Sequence, residues 1–291
     1  MMKNILSVLI LNRNNADDVL NLYEELKQQT YQDFHVIVID DNSELSDLNK
    51  LLGVKEDRLN VHSYPAPWKF GNDNKWNLGL QKANASGSRY TYTIQTDMVI
   101  NNDNLLEKLV EHMETHERCG AACPTIFNGQ NEMTWGPGIE KIRMGKIYNI
   151  NETFITRNSA IKQMNYVNHK LIFYGHEFYF NNWMKLKGFE TDALPEVSVT
   201  HYGGGTSGKY WNYKYYYRAR TTILIMRLFN KDDSTLQKCR YFRSECWEIE
   251  SRLHLYKKSQ DWREFVQLTG ILIGAVIVGL IIPISLNDNR I

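Results

Sequence analysis

Polar residues follow three apolar runs in the first half of the chain: Asn12 after SVLIL, Asp40-Asp41-Asn42-Ser43 after FHVIVI, and Gln95-Thr96-Asp97 after YTYTI. A carboxylate at such a position can accept from a nucleobase N–H or a ribose hydroxyl, and Asp97 suits a divalent cation held on a diphosphate. One Asp or Asn at a strand end ordinarily caps the next helix. Three on one rim point to a ligand. There is no GxGxxG after the first apolar run and no GxxxxGK[ST] anywhere, so the dinucleotide-oxidoreductase and P-loop readings lose their main support. Phosphates must then be met by a metal or by side-chain cations.

The elements that would carry these groups alternate. Ile5 to Leu11, Phe34 to Asp40, LNVHSY and Thr91 to Asp97 read as strands, and Asp17 to Gln28, Leu45 to Leu52 and Asn74 to Ala83 read as the helices between them. Continuous apolar, largely β-branched runs between helices predict a mostly parallel sheet covered on both faces, with ligands at the carboxyl ends of its strands. Further on, the pattern predicts a helix over Asn104 to Glu117, a loop over Asn128 to Gly145, a strand with a short helix over Asn151 to Gln163, and a helix over Gly175 to Lys187. VSVTHY then reads as an edge strand leading into a glycine-rich loop from Gly203 to Gly208.

The 291 residues carry 34 Lys and Arg against 33 Asp and Glu, a net charge of +1, with 43% hydrophobic residues. That balance excludes a disordered tail and a bulk nucleic-acid binder, which needs a phosphate-wide positive field. Cys119, Cys123, Cys239 and Cys246 show no CxxC spacing and are expected to be reduced thiols.

The charge is uneven. From Lys209 to Arg263, 13 Lys or Arg stand against 6 Asp or Glu, and the uncharged run Phe265 to Asn287 follows, 23 residues long. A bilayer core needs about 20. Lys257, Lys258 and Arg263 on its N-terminal side place residues 1–263 in the cytoplasm by the positive-inside rule. Gly270 and Gly274 form a GxxxG spacing that would let two such helices pair in a homo-oligomer. The run has three possible uses: it spans the bilayer, packs into an oligomer, or lies on the membrane surface.

SVLILNRN, VIVIDDNS, KWNLGL before a strand ending in TxD, GHEFYFNNWMKLKGF, and VTHYGGGTS followed by YYYRAR together resemble the family 2 glycosyltransferases, and within them the rhamnosyltransferase-like members. The resemblance covers about residues 4–230. It implies a Rossmann-like GT-A domain over 1–230, extended here by a basic amphipathic helical region over 231–263 and a hydrophobic membrane helix over 264–287. It implies that Asn12, Asp40, Asp41, Asn77, Thr96, Asp97 and Arg218 bind a nucleotide-diphosphate sugar. Asp97 and His201 would hold Mn²⁺ or Mg²⁺, and Arg218 would offset charge on the leaving diphosphate. Counting back from Gly188 sets His176-Glu177 in the register of the family's Glu-Asp pair, which makes Glu177 the general base. The family's DxD is here Gln95-Thr96-Asp97, with only its second acid kept.

The expectation is therefore an inverting glycosyltransferase acting on a hydroxyl of a lipid-linked glycan at the cytoplasmic membrane face. Trp135, Trp183 and Trp211 are candidates to stack on sugar rings. Two rivals remain at this level: a non-catalytic nucleotide-sugar-binding membrane module, suggested by Gln95 and His176 at acid positions, and a nucleotidyltransferase, which would want a glycine-rich basic loop near the first strand.

Overall fold

The computed structural model describes residues 5–64, 73–136, 141–143, 146–171, 175–203, 211–260 and 262–284. The first half runs β1 (Leu6–Asn12), α1 (Ala16–Lys27), β2 (Phe34–Asp40), α2 (Leu45–Leu52), β3 (Leu59–Ser63), α3 (Asp73–Ser86) and β4 (Tyr90–Ile94). The second half follows with β5 (Met98–Ile100), α4 (Leu105–Thr115), β6 (Cys119–Asn128), β7 (Met133–Trp135), β8 (Lys141–Arg143), β9 (Lys146–Tyr148), β10 (Phe154–Arg157), α5 (Asn158–Met164), α6 (His176–Leu186) and β11 (Glu190–His201). Four helices close the chain: α7 (Trp211–Phe229), α8 (Thr235–Glu245), α9 (Trp247–Lys258) and α10 (Trp262–Ile281).

Among the described residues the main sheet has the order β3-β2-β1-β4-β10-β6-β11-β5, with β7 paired to β6. β1, β2, β3 and β4 pair in parallel, as do β6 and β11, while β10 runs antiparallel between β4 and β6. The chain steps outward from β1 to β3, and α3 then returns it past β1 to β4. Right-handed crossovers therefore place α1 and α2 on one face and α3 on the other. This reversal opens a crevice at the carboxyl ends of β1 and β4, where doubly wound sheets bind ligands. α3 reaches the sheet because position 79 is glycine: a Cβ there would run into the side chain of Leu9 on β1.

Leu9, Ile10, Val36, Val38, Ile39, Tyr92 and Ile94 are buried between these layers, which is why the strands read as unbroken apolar runs. All four cysteines are free, as expected.

The second half departs from the expectations in two places. β6, CGAACPTIFN, is a buried ten-residue strand; its Gly, Ala and Pro have poor strand propensity and hid it. The expected loop over Asn128 to Gly145 contains β7 and the first strand of the β8–β9 hairpin. VSVTHY, except for Tyr202, belongs to the twelve-residue β11, which is an interior strand between β6 and β5 rather than an edge. Pro195 falls in the register shift between Leu194 and Ser198, a bulge that accommodates its missing N–H. Of the glycine-rich loop, residues 204–208 lie outside the described residues.

α7 sends Leu224, Ile225, Met226 and Leu228 into the main core, so the C-terminal helices are seated on the α/β body. A smaller cluster joins Tyr215 and Ala219 of α7 to Cys246 beside α9, Ile249 of α9, and Leu268 and Ala275 of α10.

Candidate active site

The rim at the carboxyl ends starts from the β1 and β2 loops. Asn12 donates from Nδ2 to Asp40 Oδ1 at 2.8 Å and to Asp47 Oδ2 at 3.2 Å. Ser43 donates to Asp40 through both its hydroxyl, at 2.6 Å, and its backbone N–H, at 3.1 Å. Asp40 is fully buried, so its carboxylate fixes the shape of this loop pair.

Asp41 beside it is also buried and is paired with the Lys75 ammonium at the start of α3, with Arg13 Nη1 3.6 Å away. Burial holds the Asp41 carboxyl above its ordinary value although both cations pull it down. Arg13 and Lys75 were missed in the sequence; Arg13 follows the marked Asn12, and Lys75 stands two positions before the marked Asn77.

On the other side of the crevice, Asn15 Nδ2 donates to Thr96 Oγ1 at 3.1 Å, which ties the β1 and β4 loops together. Asp97 follows. His201 at the end of β11 places Nε2 3.2 Å from Asp97 Oδ2 and Nδ1 2.7 Å from Glu152 Oε2. The two carboxylates raise the His201 imidazole to about 10 against the opposition of burial. At Asp97 burial works against the charge, but the His201 hydrogen bond wins and the carboxyl lies below its usual value. Asp97 and His201 Nε2 lie together and suit Mn²⁺ or Mg²⁺ once the proton on His201 is displaced, with Glu152 orienting the ring from Nδ1.

Glu152 is the third missed residue. It reaches the rim because β10 runs antiparallel, so the segment before Phe154 lies at the same edge of the sheet as the end of β4. Gln95, which stands where the family's first acid would be, donates to the Glu152 carbonyl at 3.3 Å.

Glu177 stands in the first turn of α6. Its neighbour His176 is buried with its ring edge-on to Trp76 at 5.0 Å, and the Trp76 indole N–H donates to Thr93 Oγ1 at 3.3 Å, next to the end of β4. These contacts bring the start of α6 to the rim. Burial pushes the His176 imidazole down to about 4, so it is neutral.

Placement gives several of the expected residues partners of their own. Asn77 is buried, donating to the Val167 carbonyl at 2.9 Å and accepting from the Val167 N–H at 3.0 Å, so both ends of its amide clamp the turn after α5. Arg218 donates to Glu248 Oε2 at 3.0 Å on the seam between α7 and α9. Trp135 and Trp183 are core residues, 2% and 7% exposed, and are closed to sugar stacking. The Trp211 side chain lies outside the described part of the chain.

A further His/Cys/Asp group, His112, Cys119 and Asp192, lies at the start of β6 and β11. Asp192 lies nine positions before His201 along β11, about 30 Å of strand, so this group takes no part in this rim.

The model of the family described as glycosyl transferase family 2 matches residues 7–178, a stretch that holds Asn12, Asp41, Asp97, Glu152 and Glu177. The chain belongs to glycosyl transferase family 2. Solved structures share the fold of this family 2 chain at low identity. S. aureus TarS 1–349 in complex with UDP-GlcNAc aligns with a TM-score of 0.63 and 15% identity over 93% of this chain and 81% of that one. The mannosyltransferase PcManGT from Pyrobaculum calidifontis, in complex with GDP-Man and Mn²⁺, aligns with a TM-score of 0.59 and 11% identity over 95% and 87%. No curated protein sequence matches the chain. The family 2 chain is thus a glycosyltransferase with the GT-A fold.

Proposed function

We propose that this glycosyltransferase moves a hexosyl or deoxyhexosyl group, with inversion, from a nucleotide-diphosphate sugar to a hydroxyl of a lipid-linked glycan at the cytoplasmic face of a membrane. The observation that carries the catalytic part is the placement of Asp97 beside His201 Nε2 at the β1/β4 crevice, with Glu152 on Nδ1 of the same ring. UDP and GDP sugars in the structural neighbours make these the first donors to try.

Asp97 and His201, with Glu152 behind the ring, would hold Mn²⁺ or Mg²⁺. A bound cation would supply positive charge against the charge that develops on the departing diphosphate. Asp41 serves the base or ribose, with Lys75 and Arg13 beside it, while Asn12 and Asp40 keep that loop in shape. Thr96 lines the crevice between the two loops. Glu177 accepts the proton of the acceptor hydroxyl as its oxygen bonds to the anomeric carbon from the face opposite the diphosphate. The bond from that carbon to the diphosphate oxygen breaks, and the nucleoside diphosphate leaves.

The C-terminal segment supports the choice of acceptor. α10 is, by length and composition, long and apolar enough to cross a membrane, and holding the enzyme at a bilayer raises its effective concentration near a lipid-carried substrate. The test is Glu177→Gln. Turnover should fall at least 100-fold while donor affinity stays within about twofold. Turnover within threefold of the unaltered chain would remove Glu177 as the base, and the absence of turnover in the unaltered chain with every donor and acceptor would favour a binding module.

A further inference from the structure

α10 carries two apolar stripes on opposite sides. Leu268, Ala275 and Gly279 are buried. A Cβ at Gly279 would lie 2.9 Å from Ile223 Cβ and 3.1 Å from the Arg220 carbonyl oxygen, so α10 and α7 meet there backbone against backbone. The far end of α10 is tied to the body: Arg227 donates to the carbonyls of Gly279 and Ile282 at 2.7 Å each, and Lys170 donates to that of Pro283 at 2.5 Å. These cations satisfy carbonyls that a helix end leaves without partners.

The other stripe faces out. Trp262, Val266, Ile273, Ile277, Leu280 and Ile281 recur at helical spacing and are each more than half exposed. A helix of twenty residues is about 30 Å long, so this is an extended apolar surface that soluble chains rarely leave open.

A spanning helix needs lipid or apolar protein around its whole girth. α7 covers one side of α10, and α7 carries Lys214, Arg218, Arg220 and Arg227, charges that are costly in the hydrocarbon core. α10 cannot cross the bilayer without leaving α7 or dragging it in. We infer that α10 lies flat in the membrane interface, its outer stripe in the lipid and its inner stripe on α7, so that the catalytic domain and Ile284, just past the helix end, stand on the same side.

The surface it fits is an anionic bilayer. Lys257, Lys258 and Arg263 are exposed just before and at the N-terminal end of the stripe, where Trp262 provides the amphipathic ring favoured at headgroup depth. The inference rests on the membrane placement proposed above but fixes its geometry.

The experiment uses the full chain carrying N289C, reconstituted into sealed vesicles of phosphatidylcholine and phosphatidylglycerol. Cys239 is exposed and the other three cysteines are buried, so Cys239 reports the domain and the introduced thiol reports the chain end. With a membrane-impermeant maleimide outside, a flat α10 gives molecules carrying two labels or none, and C239S reduces the doubly labelled species to one label. I273E with I277E should lower vesicle binding at least tenfold without lowering the melting temperature. Bound chains that carry a single label until detergent is added would overturn the flat geometry and leave membrane placement standing. No binding to vesicles would overturn both, including the case in which the stripe instead pairs two copies through Gly270 and Gly274.

Discussion

Glu152 Oε2 lies 2.7 Å from His201 Nδ1, on the side of the ring away from Asp97. A metal-ligating histidine is commonly oriented by a carboxylate on its second nitrogen, and loss of that partner costs about 10- to 100-fold in metal affinity. Glu152→Gln should therefore weaken Mn²⁺ binding by at least tenfold while the chain keeps its fold. Calorimetric titration with Mn²⁺ checks this, and an unchanged affinity would make Glu152 a bystander.

The Arg218–Glu248 pair joins α7 to α9, and Lys214 and the Tyr215 hydroxyl also reach Glu248. The pair is partly exposed, so Arg218→Ala should cost about 1 kcal/mol and Glu248→Ala, which strands more partners, about 2. The double variant should lose less than the sum. kcat should stay within about threefold in Arg218→Ala. A loss of kcat beyond 100-fold with stability unchanged would return Arg218 to the diphosphate.

Asn77 makes two buried hydrogen bonds to the backbone of Val167. Asn77→Ala should cost about 2 kcal/mol in urea unfolding and leave donor affinity intact in the folded fraction. Weaker donor binding at unchanged stability would show instead that Asn77 contacts the nucleotide.

His176 is held near 4 by burial. Its folded value lies below the ordinary 6.5, so the unfolded chain binds the extra proton and stability falls as pH drops from about 6.5 to 4. The loss over that window is about 3 kcal/mol. His176→Phe should flatten the fall in a series of urea titrations; an unchanged slope would assign the acid sensitivity elsewhere.

The sheet's first half was legible because β1, β2 and β4 are buried on both faces and keep their apolar runs, and the strand ends at Asn12, Asp41 and Asp97 could be placed from those runs alone. β6 escaped because Gly120, Ala121, Ala122 and Pro124 pack well in a crowded interior but carry no strand signature. Glu152 escaped for a different reason: its arrival at the rim depends on the direction of β10, which is a property of topology. Arg218 and Asn77 show the limit of motifs, since residue type and order matched while the partners, Glu248 and Val167, come from elements that motif spacing does not encode. The apolar character of α10 was plain in the sequence, but its seat on α7 depends on Gly279 and Arg227 meeting across more than fifty positions.

The most direct test of the catalytic site is a thermal-shift series on the full chain with UDP and GDP sugars, with and without Mn²⁺, repeated on Asp97→Asn. At donor concentrations near 100 times Kd, one nucleotide sugar should raise the melting temperature by about 5 °C with the metal present. Removal of Mn²⁺ or the Asp97→Asn change should abolish most of that rise. Equal shifts in the unaltered chain and in Asp97→Asn, or no shift with any nucleotide sugar, would contradict a donor held at Asp97 and His201.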